Sequence, residues 1–191
     1  YGKESAFVTK LPDNDLTKAA RRRLRGYGVD TSEIILGGNR MGIYFVEKGA
    51  SQRASKVIYD RKDSSIAQIK PGEFEWDRIF ENADWFHFTG ITPALSDNAA
   101  QACMEACKKA KERGVTVSCD LNYRNRLWTS KKAGRVMGEL MPFVDVAIAN
   151  EEDCEKVFGI KASGTNLTAG TISKEGYSEV ARILSEKFNI P

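Results

Sequence analysis

Hydrophobic and polar positions divide the chain into stretches with different periodicities. Apolar residues at 6–9 predict a short buried strand, and apolar residues at helical spacing from about residue 14 predict a helix after it. Between residues 31 and 70 the pattern changes to short runs of β-branched and aromatic residues separated by Gly-rich turns, which is typical of strands. Because short links join these runs, we predict that they form one antiparallel sheet. The runs lie at 34–36, 41–47, 56–61 and 66–69.

After Pro71 and Gly72, predicted strands alternate with predicted helices. The strands lie at 85–89, 115–119 and 144–149, the helices at 74–81, 96–113, 130–140, 151–158 and 174–188, and a loop rich in Ser, Thr, Gly and Asn at 162–173. This alternation indicates a parallel sheet with helices on both faces. The predicted fold class is therefore α/β, with a core from residues 1–30 and 71–191 and residues 31–70 as a small antiparallel insertion.

Composition narrows the function classes. The formal net charge of +3, from 29 basic and 26 acidic residues, is too small to indicate binding to nucleic acid or to an anionic membrane surface. No apolar run reaches the roughly 18 residues that a membrane-spanning helix needs. The four cysteines match no zinc pattern and the chain has one histidine, so we predict no metal site from them. We expect buried, reduced cysteines and a cytoplasmic protein.

Polar or turn residues follow each of the three predicted parallel strands. Ligands of parallel sheets bind beyond the carboxyl ends of the strands, so these segments predict a site at one edge of the sheet. Each segment alone is equally compatible with a helix cap or a loop salt bridge, and their coincidence at one edge favours function. The segments are Thr89-Gly90-Ile91-Thr92, Asp120-Leu121-Asn122-Tyr123-Arg124 and Asn150-Glu151-Glu152-Asp153.

The predicted antiparallel insertion carries a second candidate surface. Tyr44 lies centrally in one strand, and Tyr59 and Arg61 lie two residues apart in another, so the latter two share a face. Such a surface can hydrogen-bond hydroxyls, and the planar guanidinium of Arg61 can bind a carboxylate at two points. The alternative is an exposed strand edge with ordinary aromatic cross-strand pairs.

Together these motifs resemble the ribokinase family of sugar kinases, also called the PfkB family. Asp120-x-Asn122-x-Arg124 and the Asn150-x-x-Asp153 segment resemble two internal signatures of that family. Within the family, the order of the motifs is most similar to kinases of 2-keto-3-deoxygluconate. The segments that carry this similarity are 40–47, 59–61, 88–92, 120–124 and 150–153.

The resemblance implies an α/β core with a β-sheet lid, and an ATP- and Mg²⁺-dependent transfer of phosphate to the terminal hydroxyl of an acid sugar. It implies a homodimer formed through the lid. At the position of Asp153 the family usually has Glu, one methylene longer. The resemblance further implies that the sugar contacts are Tyr44, Tyr59, Arg61, Gly90, Ile91 and Arg124, and that the cofactor contacts are Asn122, Asn150 and Asp153.

Two family features do not occur in this sequence. The N-terminal strand with its Gly-Gly segment is not found, and no Gly-x-Gly-Asp signature, whose Asp is the family's catalytic base, occurs before Pro191. Since the chain also begins without Met, we expect it to be part of a longer protein and predict that these 191 residues alone have no kinase activity. Two alternatives stay open: a fructokinase-like or ribokinase-like enzyme for a neutral sugar, and a non-catalytic sugar-binding module.

Overall fold

The chain forms two compact units, Tyr1–Phe74 and Glu75–Pro191. In the computed structural model the described residues are 2–161 and 174–191, and the loop predicted at 162–173 lies outside them. The prediction that residues 1–30 and 71–191 form one core stays a prediction.

The first unit is built from short elements. Strand β1 pairs with β3 and β2 pairs with β4, both in parallel, whereas β5 and β6 form an antiparallel hairpin. Helix α1 begins after Asn14, whose side chain accepts a hydrogen bond from the Thr17 N–H and caps the helix. The bounds are β1 Ser5–Ala6, β2 Thr9–Leu11, α1 Asp15–Arg25, β3 Val29–Asp30, β4 Ile34–Leu36, β5 Ile43–Glu47 and β6 Lys56–Asp60.

The prediction of one four-stranded antiparallel sheet is wrong. Only the runs at 41–47 and 56–61 pair in that way, and the run at 34–36 instead joins β2 in parallel. The run at 66–69 forms turns, in which the Ile69 N–H donates to the Ile66 carbonyl and the Gln68 N–H donates to carbonyls earlier in the turn. Local hydrogen bonds therefore satisfy this backbone while Ile69 is fully buried.

A buried ion pair ties β2 to the end of the first unit. The Lys10 ammonium donates to both carboxylate oxygens of Glu73 at 2.7 Å, and the two side chains are 10% and 28% exposed. The Glu73 carboxylate also accepts a hydrogen bond from the Lys70 N–H at 3.0 Å. Burial alone would raise the pKa of Glu73, but these hydrogen bonds outweigh it and lower the pKa below its ordinary value.

Replacing Glu73 with Gln is expected to lower the free energy of unfolding by about 3 kcal/mol at pH 7, since it leaves the Lys10 charge buried without a counterion. Because the carboxyl pKa is lowered in the folded state, the stabilisation is complete above the unfolded-state pKa near 4.5 and is lost as the pH falls through the folded value. The difference in free energy of unfolding between wild type and variant therefore narrows as the pH falls below about 4.5.

Urea unfolding followed by circular dichroism measures this difference. Glu139→Gln is the matched control, because Glu139 pairs with Arg135 where both side chains are more than half exposed. Exposed pairs contribute at most about 1 kcal/mol. Equal losses in the two variants would contradict a stabilising role for the buried pair.

The second unit contains the three-stranded parallel sheet that the alternating pattern predicts, in the order β7, β8, β9. A short helix, α3, was not predicted. Among the described residues, no helix is long and apolar enough to cross a membrane. The bounds are α2 Trp76–Ile79, β7 Trp85–Thr89, α3 Ile91–Ala94, α4 Asp97–Glu112, β8 Thr116–Asp120, α5 Ser130–Leu140, β9 Val146–Ile148, α6 Glu151–Phe158 and α7 Lys174–Phe188, with a 3₁₀ turn at Met141–Phe143 between α5 and β9.

Helix α4 packs a stripe of small side chains into the core of this unit. Ser96 caps the helix by accepting a hydrogen bond from the Ala99 N–H at 3.0 Å. The buried stripe includes Cys103 and Cys107, and all four cysteines of the chain are free and buried. Burial raises the pKa of the Cys107 thiol to about 12, so this thiol stays protonated and unreactive at neutral pH. The expectation of buried, reduced cysteines is confirmed.

Candidate functional site

The carboxyl ends of the parallel strands bring the predicted motifs together at one edge. Thr89 at the end of β7 lies beside Asp120 at the end of β8, and Asp120 lies beside Ile148 at the end of β9. Gly90 directly follows β7, and Asn150 lies two residues after β9. The sheet register therefore confirms that the three segments converge.

Gly90 is buried where the turn after β7 closely approaches the turn after β8. Its N–H donates to the Asp120 carbonyl at 2.7 Å, and the Leu121 N–H donates to the Ile148 carbonyl at 2.9 Å. A Cβ atom on Gly90 would lie 2.1 Å from the Leu121 carbonyl oxygen. Since Gly90 has a φ of −59°, packing and not backbone conformation excludes a side chain here. Ile91 follows as the first residue of α3 and is partly buried.

Asn122 closes the turn after β8. Its backbone has a φ of +40°, in the left-handed region that Asn adopts more readily than most residues. The side-chain amide donates to the Thr89 hydroxyl at 3.1 Å and so joins the end of β7 to the turn after β8. The predicted cofactor residue Asn122 thus has a defined internal partner, and a contact with the cofactor stays a prediction.

The beginning of α6 is fixed by two further hydrogen bonds. The Asn150 side-chain oxygen accepts from the Asp153 N–H at 2.7 Å, which caps the helix. One carboxylate oxygen of Asp153 accepts from the Tyr123 N–H at 3.0 Å. Asp153 is 6% exposed, and its burial raises the pKa of the carboxyl, while the Tyr123 hydrogen bond and the Arg124 charge act in the opposite direction.

A cleft of about 420 Å³ opens at this edge. Two of its lining side chains are cationic, Arg124 and Lys156, and two are acidic, Glu152 and Asp153. The Arg124 side chain is exposed and donates to the Tyr123 carbonyl at 2.8 Å through one guanidinium nitrogen. The remaining lining residues are Tyr123, Asn125, Ser130 and Asn150.

This donor set fits a phosphate chain together with a divalent cation. The Lys156 ammonium and the side-chain amides can donate to phosphate oxygens, as can backbone N–H groups at the N-terminus of a helix. Within residues 2–161 and 174–191, no group of three or more His, Cys, Asp and Glu could hold a metal ion. A magnesium ion here would therefore complete its shell with phosphate oxygens and water, as Mg²⁺ commonly does.

The hairpin of β5 and β6 presents the other predicted residues. Tyr44 lies directly opposite Tyr59, and the centres of their rings are 6.1 Å apart. The guanidinium carbon of Arg61 lies 4.4 Å from the centre of the Tyr59 ring. Tyr44 and Tyr59 are 64% and 46% exposed. The structure thus places the three side chains together on an accessible face.

Sequence reasoning missed several residues that line the cleft. Tyr123 lies inside the Asp-x-Asn-x-Arg motif at a position that the motif leaves undefined, although its N–H is what binds Asp153. Glu152 and Lys156 are four residues apart on α6, a spacing that places them on one helical face. Ser130 begins α5 and its hydroxyl lies 3.3 Å from the Tyr123 hydroxyl. Tyr123 and Glu152 lie within predicted segments but were not chosen as site residues, and the spacing of Lys156 from Glu152 is a signal that could have found it.

Comparisons with known proteins identify relatives of this chain. A 2-dehydro-3-deoxygalactonokinase of Haloferax volcanii is 36% identical over 168 residues, which cover 88% of this chain and 52% of that protein. The crystal structure of a 2-dehydro-3-deoxygluconokinase of Thermotoga maritima is 51% identical, has a TM-score of 0.92 and matches 99% of this chain and 56% of its own. The chain therefore spans about half the length of these relatives.

A more distant structure shares the fold alone. A putative ribokinase II of Escherichia coli, solved in complex with ATP and Mg²⁺, is 16% identical, with a TM-score of 0.73 over 97% of this chain and 54% of its own. The chain thus has a ribokinase-like α/β fold with a parallel sheet and an antiparallel hairpin. The family model for the pfkB family carbohydrate kinases matches residues 1–181. With a match over nearly all of its length, the chain belongs to the pfkB family of carbohydrate kinases.

Proposed function

We propose that the whole protein, meaning this chain with any sequence that adjoins it, is an ATP- and Mg²⁺-dependent kinase of 2-keto-3-deoxygluconate, also named 2-dehydro-3-deoxygluconate. The reaction transfers the γ-phosphate of ATP to the terminal hydroxyl of the sugar. The observation that carries the proposal is the accessible face of Tyr44, Tyr59 and Arg61, where an arginine stacks on one tyrosine and a second tyrosine lies opposite.

This face suits a sugar that carries a carboxylate. Stacking on the Tyr59 ring holds the Arg61 guanidinium in one orientation, so less rotamer freedom is lost when it pairs with a carboxylate. The two phenol hydroxyls can donate to or accept from sugar hydroxyls. A neutral sugar would leave the guanidinium without an anionic partner, which favours an acid sugar over fructose or ribose. Gly90, Ile91 and Arg124 are proposed as further sugar contacts.

The cleft beside α6 is proposed to bind the phosphates of ATP. Bound ATP supplies the phosphoryl group, and Mg²⁺ neutralises charge on its oxygens. Asn150, at the N-terminus of α6, would hold the phosphate end of the nucleotide. Roles for Asn122 and Asp153 in the cofactor site stay predictions, as do the inactivity of the 191 residues alone and the cytoplasmic location.

The C4 epimer 2-keto-3-deoxygalactonate is a second candidate substrate. The name of the Haloferax volcanii relative favours it, since that protein is a 2-dehydro-3-deoxygalactonokinase. The two acids carry the same carboxylate, so Arg61 does not distinguish them. Comparing kcat/KM for the two epimers decides between them.

Product analysis tests the proposal. We expect the whole protein, incubated with 2-keto-3-deoxygluconate, ATP and Mg²⁺, to release ADP and to form a phosphate monoester on the terminal carbon, detected by ³¹P and ¹³C NMR. Chelating the Mg²⁺ should stop the reaction. A whole protein that binds the acid sugar but releases no ADP would instead support the non-catalytic module, and intact mass establishes which polypeptide is present.

We also propose that the hairpin forms a homodimer through its other face. Ile43, Phe45 and Ile58 share this face and are 38%, 58% and 53% exposed. Glu47 lies opposite Lys56 at its rim, so a two-fold related copy can place acid against base. Burying this apolar surface against a second copy would stabilise the dimer.

Phe45→Glu is expected to convert the dimer to a monomer, because it places a charge in the centre of the proposed contact. Light scattering coupled to size-exclusion chromatography measures the mass. Leu16→Glu, at an apolar side chain of α1 that is 61% exposed, is the control and should leave the mass unchanged. A wild-type protein that elutes as a monomer at all concentrations would contradict the dimer.

A further inference from the structure

Asp153 has an internal partner that its family position does not predict. Its carboxylate accepts a hydrogen bond from the Tyr123 N–H, across 30 residues of sequence. Tyr123 directly precedes Arg124, whose guanidinium lines the cleft. Asp153 is also almost fully buried, with 6% exposure. A carboxylate placed in this way acts on the turn that carries Arg124.

That turn is held at other points as well, since the Tyr123 hydroxyl donates to the Trp128 carbonyl and the Leu127 N–H donates to the Arg124 carbonyl. Asn122 is in the left-handed region and its side chain binds Thr89, which fixes the residue before Tyr123. On the other side, the Arg124 side chain is exposed and binds the Tyr123 carbonyl. The backbone of Tyr123 therefore connects Asp153 to the guanidinium through two hydrogen bonds, one at the Tyr123 N–H and one at the Tyr123 carbonyl oxygen.

The position of Asp153 on α6 is itself well defined. Its N–H donates to Asn150 at the helix cap, so the carboxylate moves with the N-terminus of α6. The phosphate end of the cleft and the turn that carries Arg124 are thereby joined through one residue. An Asp reaches the Tyr123 N–H at 3.0 Å, whereas a Glu would add a methylene between the helix and the turn.

We infer that Asp153 is a positioning residue, which holds the turn at Tyr123 so that the Arg124 guanidinium is presented to the sugar. This inference rests on the proposed acid-sugar kinase. It differs from the direct cofactor contact that the family position implies, because the effect of Asp153 passes through Arg124 and not through the nucleotide or the metal.

The test compares Asp153→Ala with Asp153→Asn in the whole protein. We expect Asp153→Ala to raise the KM for 2-keto-3-deoxygluconate about tenfold, with smaller changes in the KM for ATP and in the Mg²⁺ concentration for half-maximal rate. Asp153→Asn should have a sugar KM close to that of wild type, because the Asn oxygen can accept the same hydrogen bond. Glu155→Ala, which removes an unrelated carboxylate from the same helix, is the control.

Two further readouts separate positioning from general damage. In an Arg124→Ala background, Asp153→Ala should change the sugar KM by less than about twofold, since the residue that it positions is gone. The rate of amide hydrogen exchange at residues 121–124 should be higher in Asp153→Ala than in wild type. In Asp153→Asn it should be close to the wild-type rate.

Three outcomes would overturn the inference. The first is a collapse of kcat with a shifted Mg²⁺ requirement in Asp153→Asn, which would indicate a direct cofactor contact while the kinase function stands. The second is an Asp153→Ala effect that stays equally large without Arg124. The third is a wild type that does not phosphorylate the acid sugar, which overturns the proposed function and the role of Asp153 with it.

Discussion

Gly90→Ala is expected to lower the free energy of unfolding by about 3 kcal/mol and to reduce sugar phosphorylation by the whole protein about a hundredfold. The new methyl carbon would lie 2.1 Å from the Leu121 carbonyl oxygen, so the turn after β7 or the turn after β8 must move. Both turns belong to the candidate site, and the Gly90 N–H hydrogen bond to Asp120 would lengthen with the shift. Thermal unfolding and the steady-state rate measure the two effects.

The control for Gly90→Ala is Gly138→Ala. Gly138 lies inside α5, and a methyl group added there would have open space within 4 Å, so alanine should stabilise the helix by about 0.5–1 kcal/mol. A loss of unfolding free energy in Gly90→Ala together with a gain in Gly138→Ala would establish that close packing makes Gly90 indispensable. A Gly90→Ala protein as stable and active as wild type would contradict the geometry of this edge.

Arg61→Ala is expected to lower kcat/KM for an acid sugar far more than kcat/KM for a neutral one. Loss of a charge-assisted contact with a carboxylate costs about 2 kcal/mol, which is roughly a thirtyfold drop in kcat/KM for 2-keto-3-deoxygluconate. Fructose offers no carboxylate, so its kcat/KM should change by less than about threefold. The planar group matters as well as the charge, and Arg61→Lys should recover only part of the loss.

Arg53→Ala is the matched control, since Arg53 lies in the same hairpin, between β5 and β6, but pairs with Glu47 and the Lys48 carbonyl. It should leave the ratio of kcat/KM for 2-keto-3-deoxygluconate to kcat/KM for fructose unchanged. Equal losses on both sugars in Arg61→Ala would remove the argument for an acid substrate and favour the kinase of a neutral sugar.

The parts of the fold that sequence predicted well have long, periodic patterns. Helices α6 and α7 begin and end at the predicted residues, as does strand β7. Helix α6 has a capping Asn150, and β7 is an aromatic-rich run of five residues that ends before Gly90. Where a pattern extends over several residues and its ends are marked by a cap or a turn, local chemistry determines the element.

The parts that sequence did not predict depend on contacts between distant segments. Strands β2 and β4 are three residues long, too short for periodicity to reveal a parallel pairing. The hydrogen bonds of Asn122 to Thr89 and of Tyr123 to Asp153 join residues 33 and 30 positions apart. Motif order placed these residues at one edge, but only the folded chain shows which of their polar groups are already committed to one another.

The acid-sugar assignment is tested most directly by the ratio of kcat/KM for 2-keto-3-deoxygluconate to that for fructose, measured with the whole protein and saturating ATP and Mg²⁺. The carboxylate contact proposed for Arg61 predicts a ratio of about thirty or more. A ratio near one, or a preference for fructose, would contradict the assignment of this chain to an acid-sugar kinase.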